Sequence, residues 1–215
     1  MPTRTFYNLP EDKREKLMDA IRSELSRTPV DEISINKIIH AAEIPRGSFY
    51  QYFENKGDML RYLLSEYRIL LFDHAHDSLQ NNGGDLFLTL IDIFDFTYSF
   101  VMKDHVFFKN IFSDIRIDVG FYERAAEESI FHGFTESVAP YVNKALLNIC
   151  GEADFANMCD MLLLITGEAF ASTFFDTSLH NNMRNKYVAK LEILKRGFKR
   201  DSKRDLKCVF GTAKK

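Results

Sequence analysis

Between Ser34 and Leu60 the chain gives three helix-start signals in close succession, and this limits its fold more than any other feature. Ser34 is a good N-cap ahead of Ile35, Ile38, Ile39 and Ala42, which line one face at helical spacing. Pro45 suits the first turn of a second helix, which ends near Phe53. Asn55 caps a third, with Asp58 three residues on in the capping-box position. That helix carries Met59, Leu60, Leu63, Leu64, Tyr67 and Leu71 to about Leu79. Upstream, Pro10 with Glu11 and Asp12 marks a helix start, and Leu17, Met18, Ile21 and Leu25 recur at helical spacing to about Ser26.

The remainder also reads as helix. The predicted segments are Leu86 to Met102, His105 to Ile115, Val119 to Asn148 with a kink or break at Pro140, Ala153 to Phe175, and Asn185 to Lys199. No period-two strand pattern of useful length occurs, so the expected fold class is all-α. The 46% apolar content supports a proper core in a chain of 215 residues. Three cysteines without CxxC spacing, and no apolar run near the start, point to a reducing compartment; the expected location is cytoplasmic. The longest apolar runs are interrupted by Asp92, Asp95 and Glu168, which argues against a membrane span.

Three short helices followed by a long one, with Glu43-Ile44-Pro45 as the turn between the second and third, make a helix-turn-helix arrangement. The helix after the turn must present its first residues to a DNA major groove. Arginine bonds guanine bidentately and a serine hydroxyl serves either base type, which makes Arg46 and Ser48 the candidate base readers. Gly47 has no side chain, so backbone can approach DNA there. Phe49 and Phe53 should face the core, while Tyr50 and Tyr52 reach outward toward phosphates. Lys56 stands at the start of the long helix, where the dipole also favours a phosphate. Ser34 and Lys37 complete the candidate DNA-binding set. Residues 1 to 60 carry 9 Lys and Arg against 10 Asp and Glu, so placed residues rather than a basic surface must hold DNA.

Residues 33 to 60, "ISINKIIHAAEIPRGSFYQYFENKGDML", resemble the TetR family of bacterial transcription regulators. Ile38, Ala42, Gly47, Ser48, Tyr50, Phe53, Lys56 and Leu60 carry the match. One position departs: the turn residue that is usually glycine is Glu43, which is strained if it must adopt positive φ. The resemblance covers about 50 residues. It implies an all-helical homodimer, a DNA-binding head over residues 1–55, and a larger ligand-binding and dimerisation domain over residues 56–215. It further implies that the head binds a palindromic operator, most simply as a repressor released by an inducer. The two readings set against this are a DNA-binding regulator controlled by a protein partner, and a helical protein or enzyme that has lost DNA binding.

Fourteen of the 20 phenylalanines lie between Phe87 and Phe175, beyond the head. Core packing explains most of them, yet a ring-lined cavity is what a small apolar or aromatic inducer needs. The candidate lining is Phe96, Phe100, Phe131, Phe134 and Phe170, with Tyr98, Tyr122 or Glu168 as polar anchors. Gly167, Ala171 and Phe175, with the stripe Tyr187, Leu191, Leu194 and Phe198, form the candidate dimer interface. His74 and His76 do not share a helical face, so they are expected on a solvated surface with no metal. Cys150 and Cys159 are expected as half-buried apolar residues, and Thr3 and Arg4 form a candidate minor-groove arm. No Ser-His-Asp frame or glycine-rich phosphate loop occurs, so no enzyme, cofactor or metal is expected.

Overall fold

A computed structural model describes residues 2–103, 105–114, 131–175, 178 and 180–198. The helices are α1 (Arg4–Tyr7), α2 (Glu11–Leu25), α3 (Ile35–Ala41), α4 (Arg46–Tyr52), α5 (Lys56–Asn81), α6 (Leu86–Lys103), α7 (His105–Asp114), α8 (Phe134–Val138), α9 (Glu152–Phe175) and α10 (His180–Phe198). Short 3-10 turns occur at Val30–Glu32 and Lys144–Leu146, and the described residues contain no strand. The chain divides into two compact units. Unit 1 is Met1–Leu71 with Thr97–His132, and unit 2 is Phe72–Phe96 with Gly133–Lys215.

Unit 1 closes around Phe6, Leu17, Ile21, Leu25, Ile38, Phe49, Phe53 and Met59, all excluded from solvent. Phe6 is the hub: its ring lies 5.0 Å from Phe53 and 4.9 Å from Tyr62. It sits on α1, a helix the sequence pattern does not announce. Thr3 is tied down beside it, its N–H donating to the Tyr52 carbonyl at 2.9 Å and its hydroxyl to the Gln51 carbonyl. The segment offered as a candidate arm at Thr3 and Arg4 is therefore the start of a helix docked on α4. At the start of α5, the Asn55 side chain accepts the Asp58 N–H at 2.9 Å. The Asp58 carboxylate reaches back one residue further than in a standard capping box, to the Glu54 N–H at 3.3 Å.

Unit 2 packs around Phe94, whose ring centre lies 5.7 Å from Phe170, 5.7 Å from His180 and 5.2 Å from Tyr187. The Tyr187 hydroxyl is shared between Thr166 at 2.8 Å and the Leu90 carbonyl at 3.3 Å. Two ion pairs fasten α10 to α6 and to the loop before it: Arg184 grips Asp95 with two bonds of 2.6 Å, and Lys195 meets Asp85 at 2.7 Å. Gly84 in that loop has φ 83°, and its carbonyl oxygen accepts the Asn143 N–H at 3.0 Å. A Cβ there would fall 2.6 Å from the Asn143 nitrogen, so only glycine fits.

Four expectations change here. Residues 131–148 do not form one helix: Gly133 at φ 75° starts the five-residue α8, and the Asn143 side chain caps a separate 3-10 turn beyond Pro140. Residues 119–130, the earlier part of that predicted segment, lie outside the described residues. Helix α10 begins at His180 rather than Asn185. His74 and His76 are half-buried rather than solvated: His74 stacks on Phe96 at 4.3 Å, and His76 bonds the Ser137 hydroxyl at 2.9 Å. Both cysteines were expected half-buried, but Cys159 is fully buried and Cys150 is exposed.

Candidate nucleic-acid interface

Helix α3 ends in a Schellman turn. The Ile44 N–H returns to the Ile39 carbonyl at 3.0 Å, and the Glu43 N–H to the His40 carbonyl at 3.2 Å. That geometry needs a left-handed residue at Glu43, and its φ is 54°. The strain expected at this position is present. Pro45 then caps α4 in extended conformation, fixing the entry of the second helix.

The first turn of α4 faces outward. Arg46 and Gly47 are exposed, and Ser48 is half-buried. Arg46 has no hydrogen-bond or ion-pair partner among the described residues. A Cβ added to Gly47 meets nothing within 4 Å, so no intramolecular packing requires glycine there. Tyr50 is 49% exposed, its ring held edge-on by Phe49 at 5.5 Å, which leaves the hydroxyl free to meet a phosphate.

Tyr52 departs from the expectation. It is 8% exposed and packs toward Phe6, because the docked α1 covers that side of α4. It supports the core and is removed from the outward-facing set. Lys56 is half-exposed, its ammonium 3.4 Å from the Asp31 carbonyl. Ser34 caps α3, accepting the Lys37 N–H at 3.4 Å. Lys37 is exposed but pairs with Glu24 at 3.5 Å. Glu24, which the sequence reading passed over, is a buried carboxylate on α2 that also accepts the Ser34 N–H at 3.3 Å. It ties the start of α3 to α2. It stands three residues after Ile21 and seven after Leu17, on the apolar face of α2, and that acid on an apolar stripe is the signal that could have found it.

A family model described as "Bacterial regulatory proteins, tetR family" matches residues 17–63, and one described as "Tetracyclin repressor-like, C-terminal domain" matches residues 85–198. The second spans more than half of the chain. The protein belongs to the TetR family. It is a DNA-binding transcriptional regulator and not an enzyme. The chain is 25% identical over 139 residues to the uncharacterized HTH-type transcriptional regulator YvdT of Bacillus subtilis (strain 168), covering 63% of this chain and 68% of that one. Its fold is similar to that of SmeT, described as the repressor of the Stenotrophomonas maltophilia multidrug efflux pump SmeDEF, with a TM-score of 0.61 at 14% identity over 89% of this chain and 94% of that one. It is also similar to the fatty acid degradation regulator FadR from Bacillus halodurans, with a TM-score of 0.57 at 17% identity over 84% and 97% of the two chains. Among the described residues of this TetR-family regulator no helix is long and apolar enough to cross a membrane.

The expected inducer lining does not come together as a set. Phe134 is buried against Phe72 at 5.6 Å, Phe170 stacks on Phe94, and Phe96 covers His74. Glu168 is exposed and pairs with Lys190 at 2.5 Å. Tyr98 and Phe131 are half-buried, and Tyr122 lies outside the described residues. Phe100 alone of these lines the cavity of about 220 Å³ in unit 1, where Tyr67, Phe107 and Phe108 join it. The dimer stripe is also corrected. Tyr187 and Leu191 are each 1% exposed, consumed by the core of their own unit. Leu194, Phe198, Gly167 and Ala171 are half-buried, and the Phe175 side chain lies outside the described residues. Among the described residues, the large apolar side chains left exposed on α9 and α10 are Met161, Leu164 and Ile193.

Proposed function

We propose that the protein acts in the cytoplasm as a homodimeric repressor, gripping a palindromic operator and released from it by a small apolar or aromatic inducer. Residues 1–55 serve as the DNA-binding part and residues 56–215 as the ligand-binding and dimerisation part. The observation that carries this reading is the first turn of α4. Arg46, Gly47 and Tyr50 point away from a well-packed core and leave a guanidinium, an uncrowded backbone and a phenol without partners among the described residues. Within this reading Arg46 and Ser48 read bases, while Tyr50, Lys56, Lys37 and Ser34 hold phosphates. The dimer rests on the exposed Met161, Leu164 and Ile193, because a two-fold site requires a two-fold protein. SmeT is described as a repressor, which supports the sign of the regulation.

The experiment is selection of duplexes from a random pool, followed by titration of the winning duplex at several salt concentrations and sedimentation of the complex. A palindromic winner bound by two chains, with affinity falling steeply as salt rises, is the expected result. Weak binding that does not distinguish the winner from a scrambled duplex would sink the reading.

A further inference from the structure

The cavity in unit 1 lies among α2, α5, α6 and α7. Three rings form its floor: Tyr67 and Phe100 are 5.1 Å apart, Tyr67 and Phe108 5.9 Å, and Phe100 and Phe108 5.4 Å. Such a cluster presents ring faces and edges against which one more ring packs favourably. The volume of about 220 Å³ lies below the roughly 300–1,000 Å³ of drug-sized sites, so it suits one ring with a short chain.

The rim has a different chemistry. Arg22, Glu66 and Lys103 stand there. Arg22 is committed to Glu66 at 3.1 Å, whereas Lys103 is exposed and has no partner among the described residues. The Tyr67 hydroxyl already donates to Thr97 at 2.7 Å, so it is not free to donate to a neutral ligand. An apolar floor with one uncommitted cation at its edge selects a ring bearing a carboxylate.

The same walls reach the DNA-binding head. Asn110, on α7 with Phe107 and Phe108, donates to the Leu25 carbonyl at 2.7 Å, at the last turn of α2. The adjacent Glu24 holds the Ser34 N–H and Lys37 of α3. A ligand that wedges α7 outward therefore strains the Asn110–Leu25 bond and, through Glu24, the seat of α3.

We infer that the α2–α5–α6–α7 cavity binds a small aromatic carboxylate, held at Lys103, and that its occupation loosens the grip of α7 on the C-terminal turn of α2. This deepens the inducer reading above and rests on it. Occupation shifts the protein away from its DNA-bound form only because the ligand fits the loosened form better.

The probes are 3-phenylpropionate and its neutral amide, titrated calorimetrically into the full chain, with a duplex selected by the protein as the second readout. The acid should bind saturably and the amide about tenfold more weakly, since a charge-assisted hydrogen bond is lost. Lys103→Gln, a change at an exposed residue, should erase that difference. Leu70→Trp, at a half-exposed wall position, should block both compounds. The acid should also release the selected duplex from the wild-type protein. No binding of the acid, or binding unchanged in both variants, overturns the inference while leaving duplex binding intact. Acid binding with the expected variant pattern, in a protein that selects no duplex, would instead uphold the site and overturn the regulatory reading.

Discussion

The carboxylate of Glu43 stands 2.5 Å from the ammonium of Lys16, across the turn whose backbone places Glu43 at φ 54°. The Lys16 hydrogen bond, and then its charge, hold this carboxyl below its ordinary value. A side chain in left-handed conformation costs more than an exposed ion pair returns. Glu43→Gly is therefore expected to raise Tm by a few degrees, although glycine gains freedom in the unfolded chain. Glu43→Gln keeps the strain and loses the pair, so it should lower Tm slightly. The sign with pH follows from a depressed carboxyl: the pair stabilises above the ordinary value near 4.5 and is lost as pH falls through the lower folded value. Melting curves of wild type and Glu43→Gln should thus converge in acid. Curves that stay parallel would show that the ion pair contributes nothing.

Gly47 offers a case in which stability and function should separate. Alanine at this helical position meets no atom of the chain within 4 Å. Its better helix propensity should stabilise the head by up to about 1 kcal/mol. The added methyl would nevertheless keep DNA backbone at a distance, so Gly47→Ala should melt higher and bind the selected duplex more weakly. A variant that melts higher and binds equally well would remove Gly47 from the interface.

Much of this was legible in the sequence, for reasons that differ between the two units. Ser34, Pro45 and Asn55 act locally, through caps and fixed φ, so α3, α4 and the start of α5 lie where periodicity puts them. The strain at Glu43 was readable because a short turn has few permitted conformations. Tyr52 was misread because its burial depends on α1, a four-residue helix too short to carry a periodic signal. Tyr187 and Leu191 fit a seam between copies as well as one within a chain, and spacing cannot tell these apart. The rings of the cavity come from three helices, a juxtaposition that no one segment encodes.

Base readers and phosphate holders should differ in what their removal does. Arg46→Ala is expected to cost about 1–3 kcal/mol on the selected duplex and to relax discrimination at one base pair per half-site. Tyr50→Phe and Lys56→Ala should weaken selected and scrambled duplexes alike, because phosphates carry no sequence. Competition titrations with single-substituted duplexes check this. Equal losses on all duplexes for Arg46→Ala would make it a phosphate contact.

Alkaline pH should unfold the protein through its buried phenols. Burial pushes Tyr62 up to about 12, aided by the Glu66 hydrogen bond and charge, and burial pushes Tyr67 and Tyr187 higher still. A raised acid binds its proton more tightly in the folded state. The stability it contributes is complete below the ordinary value of 10 and is lost as pH climbs toward the folded value. Absorbance at the tyrosinate band, followed with circular dichroism, should show late-titrating phenols ionising together with loss of helix. Tyr67→Phe should cost about 1–2 kcal/mol at neutral pH, since the buried Thr97 hydroxyl loses its donor. Phenols that all titrate while helix persists would contradict this account.

The dimer interface is best tested by contrasting two neighbours on α10. Leu191 is 1% exposed and Ile193 is 60% exposed, so a charge at each must fail differently. Leu191→Glu buries an unpaired carboxylate beside Tyr187 and should unfold unit 2, and even Leu191→Ala should cost about 2–4 kcal/mol. Ile193→Glu combined with Leu164→Glu touches side chains that their own unit leaves in solvent. That double variant should keep its helix content and melting temperature at low concentration, yet sediment as a monomer. It should also lose most of its affinity for the selected duplex, because two heads no longer bind as one body. A double variant that remains dimeric would exclude Leu164 and Ile193 from the interface and return the search to Met161 and the half-buried residues of α9.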